Sequence, residues 1–188
     1  MSALAEKLMT FEEYLCYDDG TDNRYELIDG ELAPMALPTI RHALLADFIR
    51  EILKNEIRRL NKSWICLQEM GVRTGIRKSR VTDVCVLTTE QTMDMINEEA
   101  VFDTPPLLAV EVVSADSVQR DYRHKRSEYA TLGIPEYWII DPLKTQVSVL
   151  LLEYGFYDET VFKEKPRIIS PTFTELSLTV EQIFALGR

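Results

Sequence analysis

Apolar residues recur along the chain with two different periods, and the periods predict its elements. Between residues 38 and 60, Leu45, Phe48, Ile49, Ile52, Ile57 and Leu60 are separated by Arg, Lys and Glu at close to helical spacing. That predicts a long amphipathic helix. Ahead of it, RYELIDGELAPM reads as a hairpin, because Asp29-Gly30 is a favoured two-residue turn between short strands. Thr10 with Glu13 three residues on is a capping-box pattern for a short N-terminal helix. Strands are expected near 64–73 and 81–87, separated by a basic, Gly-containing turn, and an acidic stretch without a clear period follows. LLAVEVVS, from Leu107 to Ser114, reads as a strand buried on both faces. A helix is expected over 117–132, capped by Ser117 and ended by Gly133. Glu136–Asp141 reads as a strand stopped by Pro142. Further strands are expected at 147–152 and 161–169, with a closing helix at 179–186. The order predicts a mixed central sheet flanked by helices, with a parallel crossover between 107 and 141.

Composition narrows the class. The chain has 188 residues, 46% hydrophobic and 28% charged, which fits one globular domain over 1–188. No long apolar segment opens the sequence and no run approaches the roughly 20 apolar residues of a membrane helix. The expectation is a cytoplasmic protein with no membrane partner. Cys16, Cys66 and Cys85 are odd in number and far apart, suiting buried free thiols better than disulfides or a zinc site. With only His42 and His124, a His-rich metal site is excluded. The formal net charge of −10 argues against coating nucleic acid by charge alone. Bound divalent ions can reverse that sign locally, and basic residues cluster in RTGIRKSR and RDYRHKR.

The unusual residue is Glu111, a carboxylate inside the apolar LLAVEVVS. Its burial needs compensation by a protein cation, a metal or water. Strand alternation puts Val81, Asp83, Cys85 and Leu87 on one face of one strand. It puts Leu107, Ala109, Glu111 and Val113 on one face of the other. If the strands are neighbours, Asp83 and Glu111 converge, and two convergent carboxylates need a cation. Mg²⁺ or Mn²⁺ suits such oxygen ligands. Asp121 and Lys125 share a face of the following helix, whose start lies near the C-terminal end of the Glu111 strand, where ligand sites of α/β folds concentrate. Lys125 can then reach the same place. Glu26, in the early hairpin, is a further candidate. Against these stand ordinary explanations: Asp121–Lys125 as an exposed ion pair, Asp83 as a residue near a strand end.

Taken together, YELIDGEL, His42, VTDVCVL, LLAVEVVS, DYRHK and YATLGIPEYWIID resemble the Uma family of restriction-endonuclease-like proteins, within the PD-(D/E)xK nuclease superfamily. The resemblance runs from about Phe11 to the C-terminus and is most specific from Glu111 to Asp141. It implies a restriction-endonuclease-like α/β (α+β) core: a mixed sheet flanked by helices, with a metal site at one edge. Asp83 matches the superfamily's aspartate, Glu111 its second acid and Glu26 the acid of the early strand. The lysine two residues after the second acid is absent, since Val113 stands there. Lys125, on the next helix, matches the family's alternative lysine. Thr82 replaces the usual proline before the aspartate. His42 matches a recurrent family position, which a core hydrogen bond would also explain.

The resulting expectation is a Mg²⁺- or Mn²⁺-dependent DNA endonuclease. Asp83, Glu111 and Glu26 would attend the metal, and Lys125 the water or phosphate. His42 and Asp121 are secondary candidates. The metal, rather than a salt bridge, is expected to neutralise Glu111. A homodimer is the corresponding assembly, since duplex cleavage needs two cuts. The alternatives are a catalytically silent nuclease-fold module that binds DNA or a protein partner, and an accessory protein with neither metal nor cleavage.

Overall fold

The computed structural model describes residues 8–185. It opens with helix α1 (Phe11–Leu15), whose capping box is formed as expected: Thr10 Oγ1 accepts from the Glu13 amide, and the Glu13 carboxylate accepts from the Thr10 amide. Strands β1 (Tyr25–Ile28) and β2 (Glu31–Pro34) form the hairpin. Asp29 and Gly30 both take positive φ, 53° and 90°, the turn that matches strand twist. Helix α2 (Ile40–Arg59) begins at the Thr39 cap. Strands β3 (Trp64–Gly75) and β4 (Lys78–Thr88) are longer than expected, because only Ile76 and Arg77 are needed for the turn and the basic residues continue the strands. The acidic stretch holds a short helix α3 (Thr89–Asp94) and a strand β5 (Val101–Phe102) that pairs in parallel with β3.

After β6 (Leu108–Val112) the chain forms a π-helical turn, Arg120–Lys125, that runs into α4 (Arg126–Leu132), which ends at Gly133 with φ 91°. Helical residues begin at Val118, directly after Ser117 as expected, but the Ser117 hydroxyl caps no helix amide. It accepts from the Ser114 amide and donates to the Asp121 carboxylate. Strands β7 (Glu136–Asp141), β8 (Gln146–Glu153) and β9 (Phe156–Phe162) follow. The strand expected at 161–169 lies earlier: Tyr154 and Gly155, both at positive φ, make a tight turn, so β9 starts at Phe156 and Pro166 lies beyond its end. Helix α5 (Val180–Phe184) is capped by Thr179, and Leu186 of the expected helix lies outside the described residues. Cys66 and Cys85 are buried as expected, but Cys16 is exposed.

The strands form one mixed sheet, β2-β1-β4-β6-β7-β8-β9, with β3 and then β5 leading off β4. β6 and β7 are parallel, and most other pairs are antiparallel. Strand alternation splits the core in two. Leu108, Val110 and Val112 of β6, with Trp138 and Ile140 of β7, pack toward α2 and α5. Ala109, Val113, Tyr137 and Ile139 pack against Tyr129 of α4 on the other face.

One topological detail positions the site. β4 pairs with β3 along one edge, and its other edge is shared by two strands. Ser79 pairs with Leu27 of β1, while Val84–Val86 pair with β6. Between Ser79 and Val84 the sheet forks. Backbone groups at this fork lack strand partners and need others.

Candidate active site at the sheet fork

Side chains supply those partners. Glu26 Oε1 accepts from the Val81 amide at 3.0 Å, and Lys125 Nζ donates to the Val81 carbonyl at 2.8 Å. On β6, the Val112 amide donates to Asp83 Oδ2 at 2.6 Å. The same side chains then meet one another. Lys125 Nζ lies 2.8 Å from Glu111 Oε2 and 3.4 Å from Glu26 Oε1. Tyr129 OH donates to Glu111 Oε1 at 2.6 Å. Glu111 and Lys125 are 2% and 3% exposed, so this is a buried pair. Glu111 therefore has the protein cation that the sequence reading set aside in favour of a metal.

Behind Glu26 stands Arg80, also buried, which donates to Glu26 at 3.1 Å and to both oxygens of Glu128 at 2.7 Å. Thr74 Oγ1 completes Glu128 at 2.8 Å. In front, His42 Nε2 reaches Asp83 Oδ2 at 3.1 Å from α2. Glu26, His42, Asp83, Glu111, Asp121 and Lys125 all line one cleft of about 260 Å³. Every sequence-predicted candidate is thus at one place. Asp121 and Lys125 are not an exposed ion pair: the π turn carries both inward, while Arg123 and His124 face solvent.

The sequence reading missed Arg80, Glu128 and Tyr129. Tyr129 lies four residues after Lys125 on one helical face, a spacing that could have flagged it. Arg80 looked like part of an exposed basic turn. The turn's other cations are partly engaged at the surface: Lys78 pairs with Asp29, and Arg73 lies over the Phe11 ring. The two acids of EYWIID are structural. Glu136 binds Trp138 and the Thr172 amide, and Asp141 binds Tyr122 and the turn amides after it.

Burial and charge set the protonation tendencies. Burial drives Glu111 well above the ordinary carboxylate value, although Lys125 opposes it. Burial also works against the Lys125 charge, yet Glu111 and Glu26 together hold the ammonium above its usual value. For Glu26, burial is outweighed by Lys125, Arg80 and the Val81 amide, and its carboxyl falls below the ordinary value. The bond to Asp83 raises His42. Asp121 is raised by burial. The carboxylates around the fork outnumber the buried cations, and such a surplus favours a bound cation or proton.

Asp83 and Glu111 offer oxygen donors of the kind a hard divalent ion takes, and a carboxylate keeps lone pairs beyond those its present bonds use. Asp121 Oδ1 is buried and has no hydrogen-bond partner in the structure. Among the described residues, no three Asp, Glu, His or Cys side chains are grouped to hold a metal by themselves. Mg²⁺ needs no such cage, since it keeps several waters and uses one or two carboxylates. The residues present fit such an ion.

A family model described as "Uma2: Putative restriction endonuclease" matches residues 11–181. The chain belongs to the Uma2 family. Its fold is similar to that of a solved protein titled "a putative nuclease belonging to DUF820 from Anabaena variabilis ATCC 29413". That likeness has a TM-score of 0.79 at 22% identity and covers 94% of this chain and 98% of the other. It establishes the mixed-sheet fold of this Uma2 protein. The type IIG restriction endonuclease BpuSI is 13% identical, with a TM-score of 0.42 over 80% of this chain and 16% of its own, a likeness too slight to define a fold. No curated protein sequence matches the chain. No helix among the described residues is long and apolar enough to cross a membrane.

Proposed function

We propose that this Uma2 protein is a metal-dependent DNA endonuclease working at the fork cleft. One observation carries the reading: two strand-borne carboxylates, Asp83 and Glu111, line one cleft with a buried lysine that pairs with Glu111. Stability alone does not call for this arrangement, because apolar residues replace buried ion pairs at little or no cost. Asp83 and Glu111 would hold Mg²⁺ or Mn²⁺, and Glu26 anchors Lys125 rather than acting as a ligand. The ion, when bound, supplies Lewis acidity at a phosphodiester oxygen and activates water. Lys125 makes its longest contact with Glu26, at 3.4 Å. That proton is the one Lys125 can turn to the attacking water or to a phosphate oxygen, stabilising the charge that develops there. His42 fixes the orientation of Asp83. Hydrolysis adds water across one P–O bond and leaves a phosphate monoester and a free hydroxyl. Arg120 at the cleft, with exposed Arg123 on the same turn, offers phosphate contacts.

A silent module that grips DNA or a protein is favoured by one feature, the engagement of Lys125 by three acceptors. Turnover separates the two readings. Supercoiled plasmid incubated with protein and Mg²⁺ or Mn²⁺ is expected to be nicked, and chelation to stop it. Asp83→Asn keeps an oxygen for the Val112 amide, so it is expected to fold normally and to lose roughly 100-fold or more in rate. Equal nicking by variant and wild type, or none by wild type with either ion, contradicts the proposal.

A further inference from the structure

One atom of the cleft is left over by the network above. Asp121 is 1% exposed, and its Oδ2 is held by the Ser117 hydroxyl, a neutral donor. Its Oδ1 is buried without a hydrogen-bond partner, and Arg120 Nε, on a side chain 44% exposed, comes only within 3.7 Å. The buried Lys125 does not answer it, because its donors go to Val81, Glu111 and Glu26. An unanswered buried carboxylate oxygen carries its desolvation cost in full. The fold nevertheless turns Asp121 inward, on a π-helical turn of a kind often found at functional sites. It lines the same cleft as Asp83 and Glu111, and its charge acts on Glu111.

Among the described residues the carboxylates are not grouped as a three-sided cage, and a hard divalent ion held by one or two carboxylates keeps waters that need acceptors. We infer that Asp121 is a positioning residue for the divalent cation at Asp83 and Glu111, its Oδ1 accepting a hydrogen bond from a water of the cation's shell. The inference rests on the nuclease reading for the cation's presence. Mg²⁺ and Mn²⁺ keep waters that need such acceptors, and loss of an outer carboxylate typically weakens metal binding roughly 10- to 100-fold.

The test is Mn²⁺ titration by calorimetry, with thermal unfolding in the presence and absence of Mn²⁺, on wild type and Asp121→Asn. The amide keeps the shape and an oxygen for Ser117 while removing the charge. Without metal, the variant is expected to be at least as stable as wild type, because an unanswered charge is gone. Its Mn²⁺ affinity is expected to fall roughly 10- to 100-fold, with a smaller Mn²⁺-induced rise in Tm. A purely structural Asp121 gives the opposite: lower metal-free Tm and unchanged affinity, which overturns the inference while the nuclease reading stands. No Mn²⁺ binding by wild type overturns both. If Asp121→Asn does not fold, Ser117→Ala carries the test. It leaves Asp121 without its one donor in the metal-free protein, so Mn²⁺ is expected to raise its Tm more than that of wild type. An equal or smaller rise overturns the inference.

Discussion

Lys125 joins three elements through one nitrogen: the β4 backbone, Glu111 of β6 and Glu26 of β1. One layer behind, Arg80 bridges Glu26 and Glu128 with all three guanidinium nitrogens. The alternation of acid and base explains why a carboxylate is tolerated in an apolar strand. It also has a pH signature. Burial pushes Glu128 up, but its bonds to Arg80 outweigh this and hold it below the ordinary value of 4.5. A folded-state value below the unfolded one means stability present above that ordinary value and lost as pH falls through the lowered one. Glu128→Gln is therefore expected to lose about 1–3 kcal/mol at neutral pH, and its deficit to shrink as the pH drops below about 4.5, in urea titrations of both proteins. A deficit that stays constant to pH 3 contradicts the pairing. Glu111 was legible in the sequence because an acid among Val and Leu is anomalous in itself; Asp83 followed from strand alternation, and Lys125 and Glu26 from their placement and the family resemblance. Arg80 and Tyr129 were not, since an arginine in a basic turn and a tyrosine on an amphipathic helix each have an ordinary explanation.

At the scale of elements, the site exists because β1 and β6 share one edge of β4 and leave a gap between them. Periodicity predicted most of the strands and helices but could not predict this gap, which depends on pairing between residues far apart in sequence. The edge strand β9 was misplaced because its residues are mostly exposed and carry little alternation. β5 escaped for the same lack of pattern, and its docking depends on Gly71. A Cβ on Gly71 would stand 2.6 Å from Val101 Cγ2 and 3.1 Å from the Ala100 carbonyl. Gly71→Ala is expected to cost about 1–3 kcal/mol by pushing β5 away from β3. Urea unfolding would measure it, and a neutral or stabilising effect would show that β5 is not held as described.

For the whole molecule, the net charge of −10 and the proposed phosphate-handling role are in tension. Part of the negative charge lies in the fork itself, where a divalent ion would offset it, while Arg120 lines the cleft and exposed Arg123 lies on the same turn. On the proposed function, the surplus of carboxylates at the fork exists to hold a cation. Calorimetric titration of Mn²⁺ into wild type, Asp83→Ala and Glu111→Ala tests it most directly, with circular dichroism confirming that each protein is folded. The expected result is saturable binding by wild type that is lost in both variants. Binding that persists in folded Asp83→Ala and Glu111→Ala, or no binding by wild type, would contradict it and leave Lys125 and Tyr129 as the partners the buried glutamate requires.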